Sequence, residues 1–150
     1  MPVQTEHRFP LNLSVLDASG SRVTPADLRG QARAVAVYVM RTGTCPVCIH
    51  HARTRAGLDL PTHDVQPVVV VPGPPTHAAR VRRILGDRVT VVSSAGAQAH
   101  LAAGLHRTLL LQHSGIMLVD SAGVVRYRLA TALPTGSFDG LTLQAAIDRL

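Results

Sequence analysis

The sequence predicts an α/β domain built on a mixed central sheet with helices on both faces. Two buried-looking β-branched runs, residues 34–40 and 65–71, alternate with segments of helical spacing, which implies right-handed crossovers and a parallel centre. The last third switches to two strands about a Gly-containing turn, and these add antiparallel neighbours. At 150 residues, 46% of them hydrophobic, the chain can bury one substantial core, so residues 1–150 are expected to form a single domain.

Taken in order, residues 9–16 set Phe9, Leu11, Leu13 and Val15 on one side, as a half-buried strand does. Asp17, Ala18, Ser19 and Gly20 make a turn, and Thr24 to Gly30 read as a capped single helical turn. The 34–40 strand is broken by Arg41, Thr42, Gly43 and Thr44. Pro46 suits a first helical position, where its missing N–H costs nothing, with Thr44 or Cys45 as the cap and Gly57 as the end. Val65 to Val71 reads as a strand buried on both faces. Thr76 is expected to cap the next helix, which carries Ala78, Val81 and Leu85 and closes at Gly86. Residues 89–92 form a short strand and 95–103 an Ala-rich helix. Residues 116–119 and 124–128 form a hairpin, and Asp139 caps a final helix with Leu143, Ile147 and Leu150 on one stripe.

Composition removes several classes of function. The formal charge is +6 and every basic residue is Arg, but these are scattered apart from Arg80, Arg82 and Arg83. With 3% aromatic residues there is no platform for stacking bases, so no nucleic-acid partner is expected. No stretch approaches the roughly 18 apolar residues of a membrane span, and the start lacks a basic segment followed by an apolar one. No membrane partner is expected, and the cytoplasm is the expected location. The low aromatic content leaves the core to Val, Leu, Ile and Ala, with Met40 and Met117 as fillers.

The chain has two cysteines, Cys45 and Cys48, separated by Pro46 and Val47. On the first turn of a helix, residues i and i+3 share a face, so the two sulfurs can form a local disulfide and part again without unfolding. Unpaired N–H groups and the positive end of the helix dipole favour thiolate there. Arg41, His50, His51, Arg53 and Arg55 surround the pair in sequence. A four-sulfur zinc site would need a second pair. His50 and His51 point about 100° apart on a helix, so they complete a mixed site poorly and no metal is expected.

Beyond these local signals, the chain resembles the peroxiredoxin/redoxin group, the alkyl hydroperoxide reductase and thiol-specific antioxidant branch of the thioredoxin fold. Phe9-Pro10-Leu11-Asn12-Leu13 with Asp17, Gly20 and Leu28-Arg29-Gly30 resembles the lead-in of these proteins. Thr42 stands three residues before Cys45, like the hydroxyl residue before the family's attacking cysteine. Residues 115–120, 123–126 and 133–136 resemble the closing hairpin and its following loop. Tyr38 stands where the family carries proline, and Ser114 where it carries an arginine that holds the peroxide. Thioredoxin-type reductases carry a buried carboxylate at the position of Val39 and a proline near Ser114. Arg41, Cys45, Pro46 and Cys48 match an atypical redoxin subgroup with the Cys-Pro-x-Cys pattern.

The resemblance implies a thioredoxin-like three-layer fold and a thiol-dependent peroxidase that needs no cofactor. In that reading Cys45 attacks the peroxide and Cys48 resolves the sulfenic acid as an internal disulfide. Thr42 orients the substrate, and Arg41 or Arg126 supplies the cation missing at Ser114. An external thiol reductant, such as a thioredoxin-like protein, reopens the disulfide, and the resemblance admits a homodimer. Two alternatives stay open: thiol–disulfide exchange on protein or small-molecule disulfides, and a redox-inert binding module of the same fold.

Overall fold

Six consecutive residues, Ala34 to Val39, are all buried, and the strand they form organises the molecule. The computed structural model describes Phe9 and residues 14–42, 44–56, 60–94, 107–108, 111–112, 114–131 and 140–150. Its elements are β1 (Val15–Asp17), β2 (Arg22–Val23), α1 (Pro25–Arg29), β3 (Ala34–Val39), α2 (Pro46–Ala56), β4 (Val65–Val71), α3 (Pro75–Leu85), β5 (Thr90–Ser93), β6 (Arg107–Thr108), β7 (Leu111–Gln112), β8 (Ser114–Asp120), β9 (Val125–Thr131) and α4 (Gly140–Asp148).

Seven strands form one mixed sheet in the order β2-β1-β5-β4-β3-β8-β9. The centre is parallel, with Val37 opposite Val68 and Val70 opposite Val92, while β8 runs antiparallel to β3 with Val39 opposite Gly115. Strand order advances from β3 to β4 to β5 in one direction, so successive right-handed crossovers deliver their helices to the same face. Accordingly α2 buries Cys48 and Ala52, α3 buries Ala78, Val81 and Leu85, and α4 buries Leu143, Ala146 and Ile147 in one cluster. The other face packs Phe9, Val15, Val35, Val37, Val39, Val68, Val70 and Val92, with Leu28 of α1 against them. Helices therefore cover both faces, unevenly. Among the described residues, no helix is long and apolar enough to cross a membrane.

Local chemistry explains most boundaries. Thr24 caps α1 with its hydroxyl on the Asp27 N–H, while the Asp27 carboxylate accepts from the Thr24 N–H, a reciprocal capping box. Gly86 closes α3 with φ +76°, a conformation that L side chains rarely adopt. Thr76 does not cap α3. Pro75 takes the first helical position, leaving Pro74 as the cap residue with no side-chain bond to offer. The strand expected over residues 9–16 is described only from Val15. Phe9 is buried and donates its N–H to the Gly123 carbonyl at 2.9 Å, which ties it to the β8–β9 turn. The helix expected over 95–103, the Asp139 cap and the 133–136 loop lie outside the described residues.

Candidate active site

The site is assembled where β3 hands over to α2. Met40 continues the strand by donating its N–H to the Val70 carbonyl at 2.9 Å. The chain then turns, and the Cys45 N–H reaches the Thr42 carbonyl at 3.4 Å. Pro46 opens α2, and the Ile49 N–H to Cys45 carbonyl bond of 3.0 Å is its first helical link. Cys45 is thus the helix cap residue. Its Sγ accepts the Cys48 N–H at 3.4 Å, the bond that a serine or aspartate oxygen makes in an ordinary cap.

Both cysteines are free thiols, and they lie 3.0 Å apart. Cys48 is fully buried and Cys45 is 4% exposed, while its chain neighbours Thr44 and Pro46 are exposed. Their electrostatics diverge. Burial opposes ionisation of Cys45, but hydrogen bonds from the Cys48 thiol and N–H and the charge of Arg41 outweigh it, and the net effect is a lowered pKa. Burial pushes the Cys48 thiol up to about 11, reinforced by its bond to Cys45; a hydrogen bond from the Arg41 backbone and one from Tyr38 partly counter this. The surroundings therefore favour the thiolate at Cys45 and the protonated thiol at Cys48.

Of the residues singled out in the sequence, Arg41 is brought to the site: it is half-buried, and its guanidinium acts on Cys45 both as a charge and as a donor. Thr42 is exposed beside it, with its hydroxyl 3.4 Å from that of Thr44. Arg126 is not brought there. Its Nε donates to Asp120 Oδ2 at 2.7 Å, and Asp120 stands opposite Ala34, the far end of β3 from the thiols. Five residue steps at about 3.3 Å each set that end roughly 16 Å away. The β3–β8 register therefore sets Arg126 and its partner Asp120 toward the end of the sheet away from Cys45. Ser114 does begin β8 at the thiol end, next to Gly115 opposite Val39, and its buried hydroxyl has no partner among the described residues.

Two groups were not singled out as site residues. Tyr38 points from β3 into the α2 layer, is fully buried, and its hydroxyl lies 3.4 Å from His51 Nδ1. The signal was available in strand parity: Tyr38 and Met40 share a face with α2, whereas Val39 faces the opposite layer. His51 follows Cys48 by three residues and so shares its helix face. The His50 and His51 rings lie 6.1 Å apart and tilted by 51°. Among the described residues, no three His, Cys, Asp or Glu side chains are grouped to hold a metal.

No protein-family model matches the sequence, and no curated protein matches it. Solved structures do match in fold. The peroxidoxin BcpB of Mycobacterium tuberculosis superposes with a TM-score of 0.80 over 97% of both chains at 13% identity. A peroxiredoxin-like protein of Aquifex aeolicus gives 0.77 over 96% of this chain and 85% of its own, at 14% identity. A secreted disulfide oxidoreductase of M. tuberculosis, described as homologous to DsbE of Escherichia coli, gives 0.65 over 93% and 97%, again at 14% identity. The protein has the thioredoxin-like fold.

Proposed function

We propose that the protein is a thiol-dependent peroxidase, in which the Cys45 thiolate reduces hydrogen peroxide or an organic hydroperoxide and Cys48 resolves the product as a local disulfide. The observation that carries this reading is the opposed polarisation of two free cysteines 3.0 Å apart, one with a lowered pKa and the other pushed up to about 11. At 4% exposure, Cys45 is reachable by a peroxide of a few atoms and poorly by a disulfide in another folded protein. Similarity in fold to peroxidoxin and peroxiredoxin-like proteins supports the same choice.

The Cys45 thiolate attacks a peroxide oxygen; an S–O bond forms, the O–O bond breaks, and the departing oxygen takes up a proton. Cys48 then loses its proton and attacks the Cys45 sulfur. The S–S bond forms, the S–O bond breaks, and hydroxide leaves to become water. Two electrons from an external dithiol reductant, of the thioredoxin-like kind, restore both thiols. Arg41 stabilises the anionic sulfur, and Thr42 orients the peroxide once its hydroxyl turns from Thr44. A reducing compartment such as the cytoplasm keeps the pair ready.

Thiol–disulfide exchange is the second reading, favoured by Ser114 standing where peroxiredoxins carry arginine and by the fold shared with a disulfide oxidoreductase. Stopped-flow mixing of reduced protein with hydrogen peroxide, and separately with a small disulfide, tests both. Cys45 is expected to oxidise at least about a hundredfold faster with peroxide than an unperturbed thiol does, sulfenic acid to accumulate in Cys48→Ala, and turnover to vanish in Cys45→Ala. A peroxide rate equal to that of a free thiol removes the peroxidase reading. Fast reaction with the disulfide alone installs the second, and inertness to both leaves a binding module.

A further inference from the structure

The resolving thiol poses a proton problem. With burial pushing Cys48 up to about 11, its thiolate is scarce at neutral pH. Val39, the last residue of β3, is apolar and faces the other layer of the sheet, so it offers no base to this thiol. Tyr38 lies in the same buried cluster as Cys48, and its hydroxyl is among the groups that favour the Cys48 thiolate. The same hydroxyl lies 3.4 Å from His51 Nδ1, with the two rings edge to face at 6.3 Å and 79°. The Cys48 thiol, the Tyr38 hydroxyl and a half-buried imidazole are thus gathered in one layer.

We propose that Tyr38 and His51 form a proton relay for the closing step: with Cys45 oxidised, the Cys48 S–H turns from Cys45 to the Tyr38 oxygen and the Tyr38 O–H turns to His51 Nδ1, and the thiol proton passes to Tyr38 as Tyr38 gives its own to the imidazole. Cys48 gains the electron pair with which it attacks Cys45, the group on Cys45 departs with the pair of the broken bond, and His51 ends as imidazolium. His51 is half-buried, and the imidazolium returns the extra proton to solvent. In this relay Tyr38 takes the proton of the reacting sulfur, and His51 acts through Tyr38. The inference rests on Cys48 being the resolving thiol, and it holds whether the group on Cys45 is an oxygen or a sulfur.

The imidazole is suited to the task. Burial and then the neighbouring His50 hold His51 below the usual histidine range, so it is neutral and able to accept at pH 7. Among the described residues, β3 presents Tyr38 to it and α2 presents His50; α3 and β4, also packed on α2, add no charge to its titration. The 3.4 Å contact is long for an O–H···N bond and must tighten in the closing step.

The test uses dithiobis-nitrobenzoate, an aromatic disulfide that loads Cys45 and then reports closure by a second release of thionitrobenzoate. The ratio of closure rate to loading rate is followed from about pH 5 to about pH 9 in wild type, His51→Asn and Tyr38→Phe. Wild-type closure is expected to fall on the acid side as His51 protonates. In either variant the ratio drops on the order of a hundredfold at pH 7 and that acid limb is lost, leaving a rate that climbs with pH as the bare thiol does. A His51→Asn ratio within about twofold of wild type, or lowered by one constant factor with the acid limb intact, overturns the relay. Should Tyr38→Phe fail to fold, His51→Asn decides alone. Absence of any second release in wild type instead overturns the role given to Cys48.

Discussion

Arg41 acts on Cys45 from four residues away in sequence, and its effect has a defined sign. A positive charge and a donated hydrogen bond favour the thiolate, so the lowered Cys45 pKa moves the reactive form to lower pH. Arg41→Met keeps the aliphatic stem and removes both. The expected outcome is a higher Cys45 pKa, read from thiolate absorbance against pH, and a peroxide rate at pH 7 lower by about three- to tenfold. Well above the new pKa the two rates should converge, because the sulfur itself is unchanged. Arg41 was legible in the sequence because it sits in the turn that leads to the cysteine. Tyr38 and His51 were harder to read because each matters only through a third residue. Strand parity places Tyr38 under α2, helix spacing places His51 beside Cys48, and only the packing of one element on the other brings the hydroxyl to the imidazole.

The start of α2 ties reactivity to helix stability. Its first turn contains no acidic residue, and the Cys45 sulfur accepts one of the otherwise unpaired N–H groups. Sulfur is a weaker acceptor than oxygen, so Cys45→Ser should cap α2 at least as well as the native residue while abolishing turnover. Cys45→Ala, with no acceptor, should lower the unfolding free energy by about 1 kcal/mol relative to Cys45→Ser. Denaturant melts of the two variants compare them directly, and equal stabilities would mean that the sulfur has no capping role. Elements with strong patterns were legible: β3 and β4 from unbroken β-branched runs, α1 from Thr24 and Asp27, the β8–β9 hairpin from Asp120 and Gly123. Thr76 misled as a cap because Pro75, which fixes its own φ, takes the first helical position. The two-residue strands β6 and β7 carry too few residues to show any alternation.

Across the molecule, the sheet separates chemistry from acid stability. The thiols occupy the end of β3 next to Gly115, and the Asp120–Arg126 pair lies at the other end, beside Ala34. No composition or local pattern carries that distance, because it depends on the register between β3 and β8. Burial works to raise the Asp120 pKa, but the Val124 N–H, the Arg126 side chain and the Ala122 N–H outweigh it and the carboxyl is held below its usual range. A carboxyl whose folded value is depressed adds stability that is fully present above its unfolded value, near 3.9, and is lost as pH falls through the folded value. Asp17, bonded by Ser19 and Ser21 in the β1–β2 turn, shifts in the same direction. The protein should therefore lose stability as pH drops below about 4. Asp120→Asn keeps an acceptor but removes the charge facing Arg126, an exposed pair worth about 1 kcal/mol at most. Its unfolding free energy should be slightly lower at neutral pH and fall less steeply in acid, as measured by urea melts across that range. Peroxide oxidation of Cys45 in the same variant should proceed at the wild-type rate, because the hairpin end is roughly 16 Å along the sheet from the sulfur. A slowed Cys45 would mean that the Asp120–Arg126 end of the sheet reaches the thiols after all.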